Sequence, residues 1–317
     1  MKPLTSQKLR GNWASLLSVW NEDDSLDLGR VSAEIDALIA ANVDGIYSNG
    51  TAGEFHTQLE NEFDQISKLL AEKCHAAAMP FQIGVSHMSA QISLERLCRV
   101  IQLSPSAVQL ILPDWFPTSA SENVAFLQRM AEAANGIGLV LYNPPHAKQV
   151  LSPQEIGALS REIPALIGLK TAGGDEKWYA QMREHLAEVS VFVPGHFLAS
   201  GIKLGARGSY SNMACLNPAA TQKWTDLMSE DLPAALEIEG RLRKFMITYI
   251  TPLVKEQGYC PAACDRLLAL IGGWADVGIY MRWPYRSIPQ AEADRLRPIA
   301  REMIPEMFTQ TFQTTRY

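Results

Sequence analysis

The chain has 317 residues and a formal net charge of −6, with 47% of its residues hydrophobic and 20% charged. That is the balance of an ordinary globular protein able to bury a sizeable core, and without a clustered basic stripe it argues against nucleic acid or an anionic membrane as partner. Five scattered cysteines (Cys74, Cys98, Cys215, Cys260, Cys264) argue against a disulfide framework, and with no second pair or matching histidine beside Cys260 and Cys264 no metal is expected.

The opening MKPLTSQKLRGNW lacks a signal peptide's apolar stretch, and no apolar run approaches the roughly 20 residues that a membrane helix needs. The cytoplasm is therefore the expected location. Eight short apolar runs follow in order, at residues 13–19, 45–48, 81–85, 107–112, 138–142, 166–170, 189–193 and 208–211. Several are continuous rather than alternating (VQLIL, LVLY, LIGL), which suits parallel strands covered on both faces. Between them lie helical patterns such as VSAEIDALIAAN, ENEFDQISKLLAEKC, SAQISLERLCRVI and SENVAFLQRMAEAA. Ser152-Pro153-Gln154-Glu155 has the form of an N-cap, a first-turn proline and an acidic first turn.

Eight strand-helix units close a parallel barrel, so the expected fold is an α/β (β/α)8 TIM barrel with a C-terminal helical extension. Its limits are read as 1–230 for the catalytic barrel and 231–317 for an extension packed on it. That extension holds three helical patterns, LPAALEIEGRLRKFMITYITPLVKEQ, PAACDRLLALIGG and QAEADRLRPIAREMIPEMF. A doubly wound open sheet also alternates β and α, but it carries a glycine-rich turn after its first strand. Here that place reads SVWNEDDS.

Barrel chemistry sits where strands end, so polar residues closing apolar strands are the candidates. The run ALIGLK ends in Lys170, where desolvation favours the neutral amine that can attack a ketone. GLVLYNPPH carries Tyr142, close enough on a neighbouring strand to move a proton. SNGTAGEF brackets Thr51, Ala52 and Glu54 with Gly50 and Gly53, a turn that can offer N–H groups to a carboxylate. Taken singly, each has an ordinary structural reading: a snorkelling lysine, a core tyrosine, a common βα loop.

Together these segments resemble the dihydrodipicolinate synthase and N-acetylneuraminate lyase family over nearly the whole chain. GTAGE at 50–54 looks like its GTTGE or GSTGE carboxylate turn, YNPP at 142–145 like its YNxP, and GLKTAGGD at 168–175 like its Schiff-base segment. VPGHFLASGIKLGARGSYSN at 193–212 is similar to its seventh and eighth strands. The resemblance implies that Lys170 forms an imine with pyruvate or another 2-oxo acid. By the same resemblance Tyr142 shuttles the proton, and the backbone around Thr51, Ala52 and Gly53 holds the carboxylate with help from the Thr51 hydroxyl. It implies no cofactor, small-molecule partners (a 2-oxo acid and an aldehyde), and a homo-oligomer, a tetramer or a dimer. Glu54 is read as an anchor of the turn.

Departures from the family pattern narrow the substrate. The lysine-biosynthetic synthases place a carboxylate-binding arginine after YNxP, where this chain has Ala147, and a tyrosine pair after strand four, where it has Asp114, Trp115 and Phe116. Ala52 replaces the turn's second threonine. These changes argue against dihydrodipicolinate synthesis. Sialic-acid lyases carry an acidic pair after strand seven, where Gly195, His196 and Phe197 stand, and Tyr210 occupies a usually small aliphatic position. Trp115, Phe116, Phe197 and Tyr210 are read as a bulkier, more apolar pocket with His196 or Asp114 as one orienting contact. The expected activity is C–C bond cleavage or formation beside a 2-oxo acid. A dehydratase or hydratase-aldolase on the same imine is the alternative. A barrel that merely binds a 2-oxo acid is disfavoured by the intact Lys170 and Tyr142.

Overall fold

The computed structural model describes residues 1–308. Eight parallel strands pair in chain order: β1 (Gly11–Ser15), β2 (Gly45–Ser48), β3 (Phe81–Gly84), β4 (Ala107–Leu110), β5 (Leu139–Asn143), β6 (Leu166–Thr171), β7 (Ser190–Pro194) and β8 (Gly208–Ser211). β8 pairs back onto β1, Gly11 opposite Gly208, and the barrel is closed. The (β/α)8 fold expected from the strand count is the one observed.

Side chains alternate across each strand, so the two faces build two different cores. Inward-facing Trp13, Tyr47, Val140, Phe192 and Tyr210 meet across the barrel and fill it. Outward-facing Ile46, Ile83, Val108, Leu141 and Val193 pack under the helices that connect the strands. Those are α1 (Leu28–Ala40), α2 (Glu60–Ala76), α3 (Ala90–Val100), α4 (Ala120–Ala133), α5 (Pro153–Glu162), α6 (Glu176–His185) and α7 (Leu198–Lys203), with α8 (Asn212–Leu216) and α9 (Pro218–Glu230) after β8. Several starts are fixed locally: Ser119 and Ser152 each close a capping box with Glu122 and Glu155, and Pro153 follows Ser152 as read from sequence.

A third core lies under the C-terminal helices and reaches Leu17 and Ala52 at the mouth of the barrel. The pattern at 232–257 expected as one helix is divided into α10 (Leu232–Phe245), a π-helical turn (Met246–Ile250) and α11 (Thr251–Lys255). Pro252 supplies the cause, since it has no N–H to continue the α ladder. α12 (Pro261–Gly272) and α13 (Gln290–Met303) complete the set, while residues 309–317 of the expected extension lie outside the described residues. α12 packs closely on α8: a methyl on Gly272 would come within 1.6 Å of the Leu216 carbonyl oxygen. Among the described residues no helix is long and apolar enough to cross a membrane.

One strand limit differs from expectation. The apolar run at 13–19 is buried throughout, yet β1 spans Gly11–Ser15 only. Beyond it Leu17 N–H leaves the ladder and donates to the Glu34 carboxylate at 2.8 Å. Apolarity here marks burial at the barrel mouth rather than strand pairing.

Candidate active site

Parallel register brings the first two candidates together. Tyr142 of β5 is the pairing partner of Lys170 of β6, near the C-terminal ends of both strands. Lys170 Nζ lies 4.3 Å from the Tyr142 ring centroid, 4.9 Å from that of Tyr47 and 5.5 Å from that of Tyr210. Lys170 Nζ makes a long donation of 3.4 Å to the Tyr47 hydroxyl. Burial lowers the amine's pKa to about 8, and the negative charge of Asp265 opposes that fall. Facing rings favour the cationic form as well. The lysine is thus poised between ammonium and nucleophile near neutral pH.

These groups line a cavity of about 320 Å³ together with Ser15, Thr51, Ala52, His196, Cys215 and Asp265. Burial raises the Tyr142 phenol above its usual pKa, and a hydrogen bond from the Thr51 hydroxyl pulls it back. Burial raises Tyr47 and Tyr210 too. His196 is pushed down to about 4, chiefly by desolvation, so the ring is neutral; Asn212 Nδ2 donates to its Nδ1 at 2.9 Å.

The turn after β2 is held from behind. Glu54 is fully buried with a positive φ of 52°, a strained backbone for a non-glycine residue. Its carboxylate faces away from the cavity, taking hydrogen bonds from Arg266 Nη2 at 2.8 Å and the Arg282 N–H at 3.2 Å. The Gly53 carbonyl accepts from Ser18 Oγ and Gln58 Nε2. With those ties made, Thr51 and Ala52 face the cavity, and among the described residues neither N–H has a protein acceptor.

A profile of the Dihydrodipicolinate synthetase family matches residues 8–303, nearly the whole chain. The chain belongs to that family. A trans-O-hydroxybenzylidenepyruvate hydratase-aldolase of Sphingobium xenophagum is 24% identical over 309 residues, 92% of this chain and 91% of the relative. A 4-hydroxy-tetrahydrodipicolinate synthase of Exiguobacterium is 28% identical over 232 residues, 72% of this chain and 78% of the relative. The fold is shared with YagE, a prophage protein of the dihydrodipicolinic acid synthase family from E. coli K12 solved in complex with pyruvate. The TM-score is 0.82 at 19% identity, covering 93% of this chain and 98% of that one. Dihydrodipicolinate synthetase family members are lyases of the class I aldolase type, and this chain is an enzyme of that type.

Within this family member the expected residues fall into two groups. Lys170, Tyr142, Thr51, Ala52, His196 and Tyr210 line one cavity. Gly53 lies behind the turn, and Phe197 turns outward, with the Arg243 guanidinium 4.7 Å from its ring. Trp115 and Phe116 are 67% and 80% exposed and line no part of the cavity; the Trp115 carbonyl accepts from Lys148 Nζ instead. The bulk expected of these aromatics is supplied elsewhere. A groove of about 640 Å³ borders the cavity, sharing Thr51, Tyr142 and Pro261 with it, and is walled by Phe55, Met88, Ile111, Leu112 and Tyr285 with His56, Asp114 and His146 as polar points. Burial lowers the pKa of His56.

Tyr47 and Asp265 were not singled out from the sequence. Tyr47 carries a readable sign: in GIYS the outward Ile46 fixes its neighbour as inward. Asp265 carries another, since Asp265-Arg266 is the one charged pair in the apolar helix PAACDRLLALIG.

Proposed function

We propose that this enzyme is a Schiff-base lyase or aldolase that makes or breaks a C–C bond beside a 2-oxo acid, with Lys170 as the covalent residue. The observation that carries the reading is a half-buried Lys170, paired in register with Tyr142 and with its pKa lowered by desolvation, in a cavity whose rim offers two N–H groups without a protein acceptor among the described residues. The neutral Nζ attacks the keto carbon, and the acid's carboxylate rests on the Thr51 and Ala52 amides. Loss of water gives a protonated imine. This imine withdraws electrons from the adjoining carbon, so that carbon can leave or join an aldehyde as an enamine. The Tyr142 phenol, tied to the Thr51 hydroxyl, relays the proton between the imine carbon side and the aldehyde oxygen.

The bordering groove supports a second substrate bearing an apolar or aromatic group rather than a polyol. Its walls are aliphatic and aromatic, with few polar points for orientation. A hydratase-aldolase acting through the same imine is the second reading, favoured by the Sphingobium relative's named activity.

Borohydride reduction in the presence of pyruvate, followed by peptide mass mapping, tests the lysine. The expected result is a reduced adduct on Lys170 in the parent and none in Lys170→Ala; absence of any adduct with a panel of 2-oxo acids overturns the assignment. Turnover of aromatic aldehydes with pyruvate tests the groove, and turnover of polyhydroxylated 2-oxo acids alone would refute the apolar reading.

A further inference from the structure

α12 delivers an unaccounted carboxylate to the site. Asp265 lines the same cavity as Lys170, and among the described residues its carboxylate takes part in no hydrogen bond. The cation next to it in sequence is committed elsewhere: Arg266 donates to Glu54 and to the Val277 and Ser18 carbonyls. Lys170 is the opposing charge acting on Asp265. Asp265 is half-buried, its carboxylate opening on the cavity, and a carboxylate set in a cleft opposite a specific charge is a candidate for work at that site.

The other titratable groups around the pair are Tyr47 of β2, Tyr142 of β5, His196 after β7, Tyr210 of β8, Cys215 of α8, Cys260 just before α12 and Cys264 within it. Burial raises the tyrosines and cysteines and lowers His196, so all of them stay neutral near pH 7. Among the described groups lining the cavity, Lys170 and Asp265 are the two whose pKa values lie near pH 7. Asp265 is pushed up to about 7 by desolvation, with Lys170 drawing it down. Their two steps belong to the pair rather than to either residue.

Building on the imine reading, we propose that Asp265 is the acid and base of imine formation, taking the proton from the Lys170 ammonium and returning it to the departing hydroxyl. Transfer from Nζ to the carboxylate leaves a neutral amine and a neutral carboxylic acid. The amine lone pair forms the C–N bond as the ketone π bond breaks, and one Nζ proton moves to the oxygen, giving a neutral carbinolamine. Asp265 then protonates the hydroxyl, the C–O bond breaks, and water leaves. The nitrogen lone pair forms the C=N bond of a protonated imine, and the Asp265 carboxylate remains as its counter-ion. The incoming 2-oxo acid brings a negative charge that favours the protonated form of Asp265 at the step that needs it.

The test is single-turnover borohydride trapping of pyruvate by the full chain across pH, for the parent and Asp265→Asn. The parent is expected to give a bell-shaped rate profile with its maximum between about pH 7 and 8. In Asp265→Asn the rate at that maximum should fall by about 100-fold, within the range for loss of a positioned acid, and the profile should become a single rising limb. If Asp265→Asn does not fold, Asp265→Ala with added formate serves, and recovery of adduct formation by formate is the expected outcome. Parent-like rate and profile in Asp265→Asn, or a change confined to the pyruvate concentration needed with the saturated trapping rate unchanged, would overturn the proposal. A parent that forms no adduct removes the imine reading itself, which separates the two failures.

Discussion

Three carboxyl groups at the barrel mouth, Glu34 and Glu54 buried and Asp265 half-buried, are handled in three ways. Glu54 is matched by the Arg266 guanidinium and a backbone N–H. Glu34 has one hydrogen bond, from Leu17 N–H at 2.8 Å, and its second oxygen is buried without a partner. Asp265 has only the charge of Lys170. Desolvation raises Glu34 to about 8, against the Leu17 hydrogen bond and Arg266, which lower it. A folded-state pKa above the unfolded value means stability present at acidic pH and lost as pH rises from the ordinary carboxyl range through about 8. Glu34→Gln keeps an oxygen for Leu17 N–H and removes the ionisation. Its stability gain over the parent is therefore expected to grow between pH 5 and 8, to at most about 4 kcal/mol, and to be absent at pH 4. Thermal denaturation at several pH values reads it; a pH-independent difference would contradict the assignment.

At this scale the sequence was readable where chemistry and strand ends coincide. Lys170 and Tyr142 close apolar strands, so their types and places both point to the site. Trp115 was misleading because a bulky residue after β4 can face the barrel mouth or solvent, and only the loop's path decides. Here that path is tied by Lys148 N–H to Asp114 at 2.9 Å, and the indole is left outside.

Among the elements, α12 does the most for the site. Its neighbouring residues face opposite tasks: Asp265 enters the cavity, while Arg266 binds Glu54 behind the carboxylate turn. Arg266 is buried and Asp265 half-buried, and the charged pair in this apolar helix marks it in the sequence without saying which site each residue faces. Removing one partner of a buried ion pair costs about 3–5 kcal/mol because the other charge is stranded. Arg266→Met is expected to destabilise by about that amount in urea unfolding. Glu54→Gln combined with Arg266→Met should recover part of the loss, since no full charge then remains. A double variant no better than the single one would show that Arg266 acts through its bonds to Ser18 and Val277 carbonyls instead.

Over the whole molecule, the strand count gave the barrel, while the C-terminal helices were legible as helices but not as a wall of the active site. Nothing in their amphipathic pattern says which face meets the barrel mouth. The homo-oligomer implied by family resemblance has a candidate contact in Trp115 and Phe116, exposed rings 6.5 Å apart and edge to face. Sedimentation is expected to give a dimer or tetramer, and Phe116→Ser to shift it toward a smaller species; a monomeric parent would dismiss the idea.

The Arg266 guanidinium also reaches the Ser18 carbonyl, across 248 positions of chain. During synthesis, therefore, the first turn of the barrel waits for nearly the last helix. Domains fold as their segments emerge, yet here an emerging chain can assemble most strands while Glu54 still lacks its cation and the cavity lacks Asp265. By the proposed chemistry, a ribosome-bound intermediate ending before residue 265 holds Lys170 without its proton partner. The same proposal predicts that reactivity toward 2-oxo acids is withheld until α12 has emerged, and adduct formation by ribosome-bound chains ending before residue 265 would contradict it.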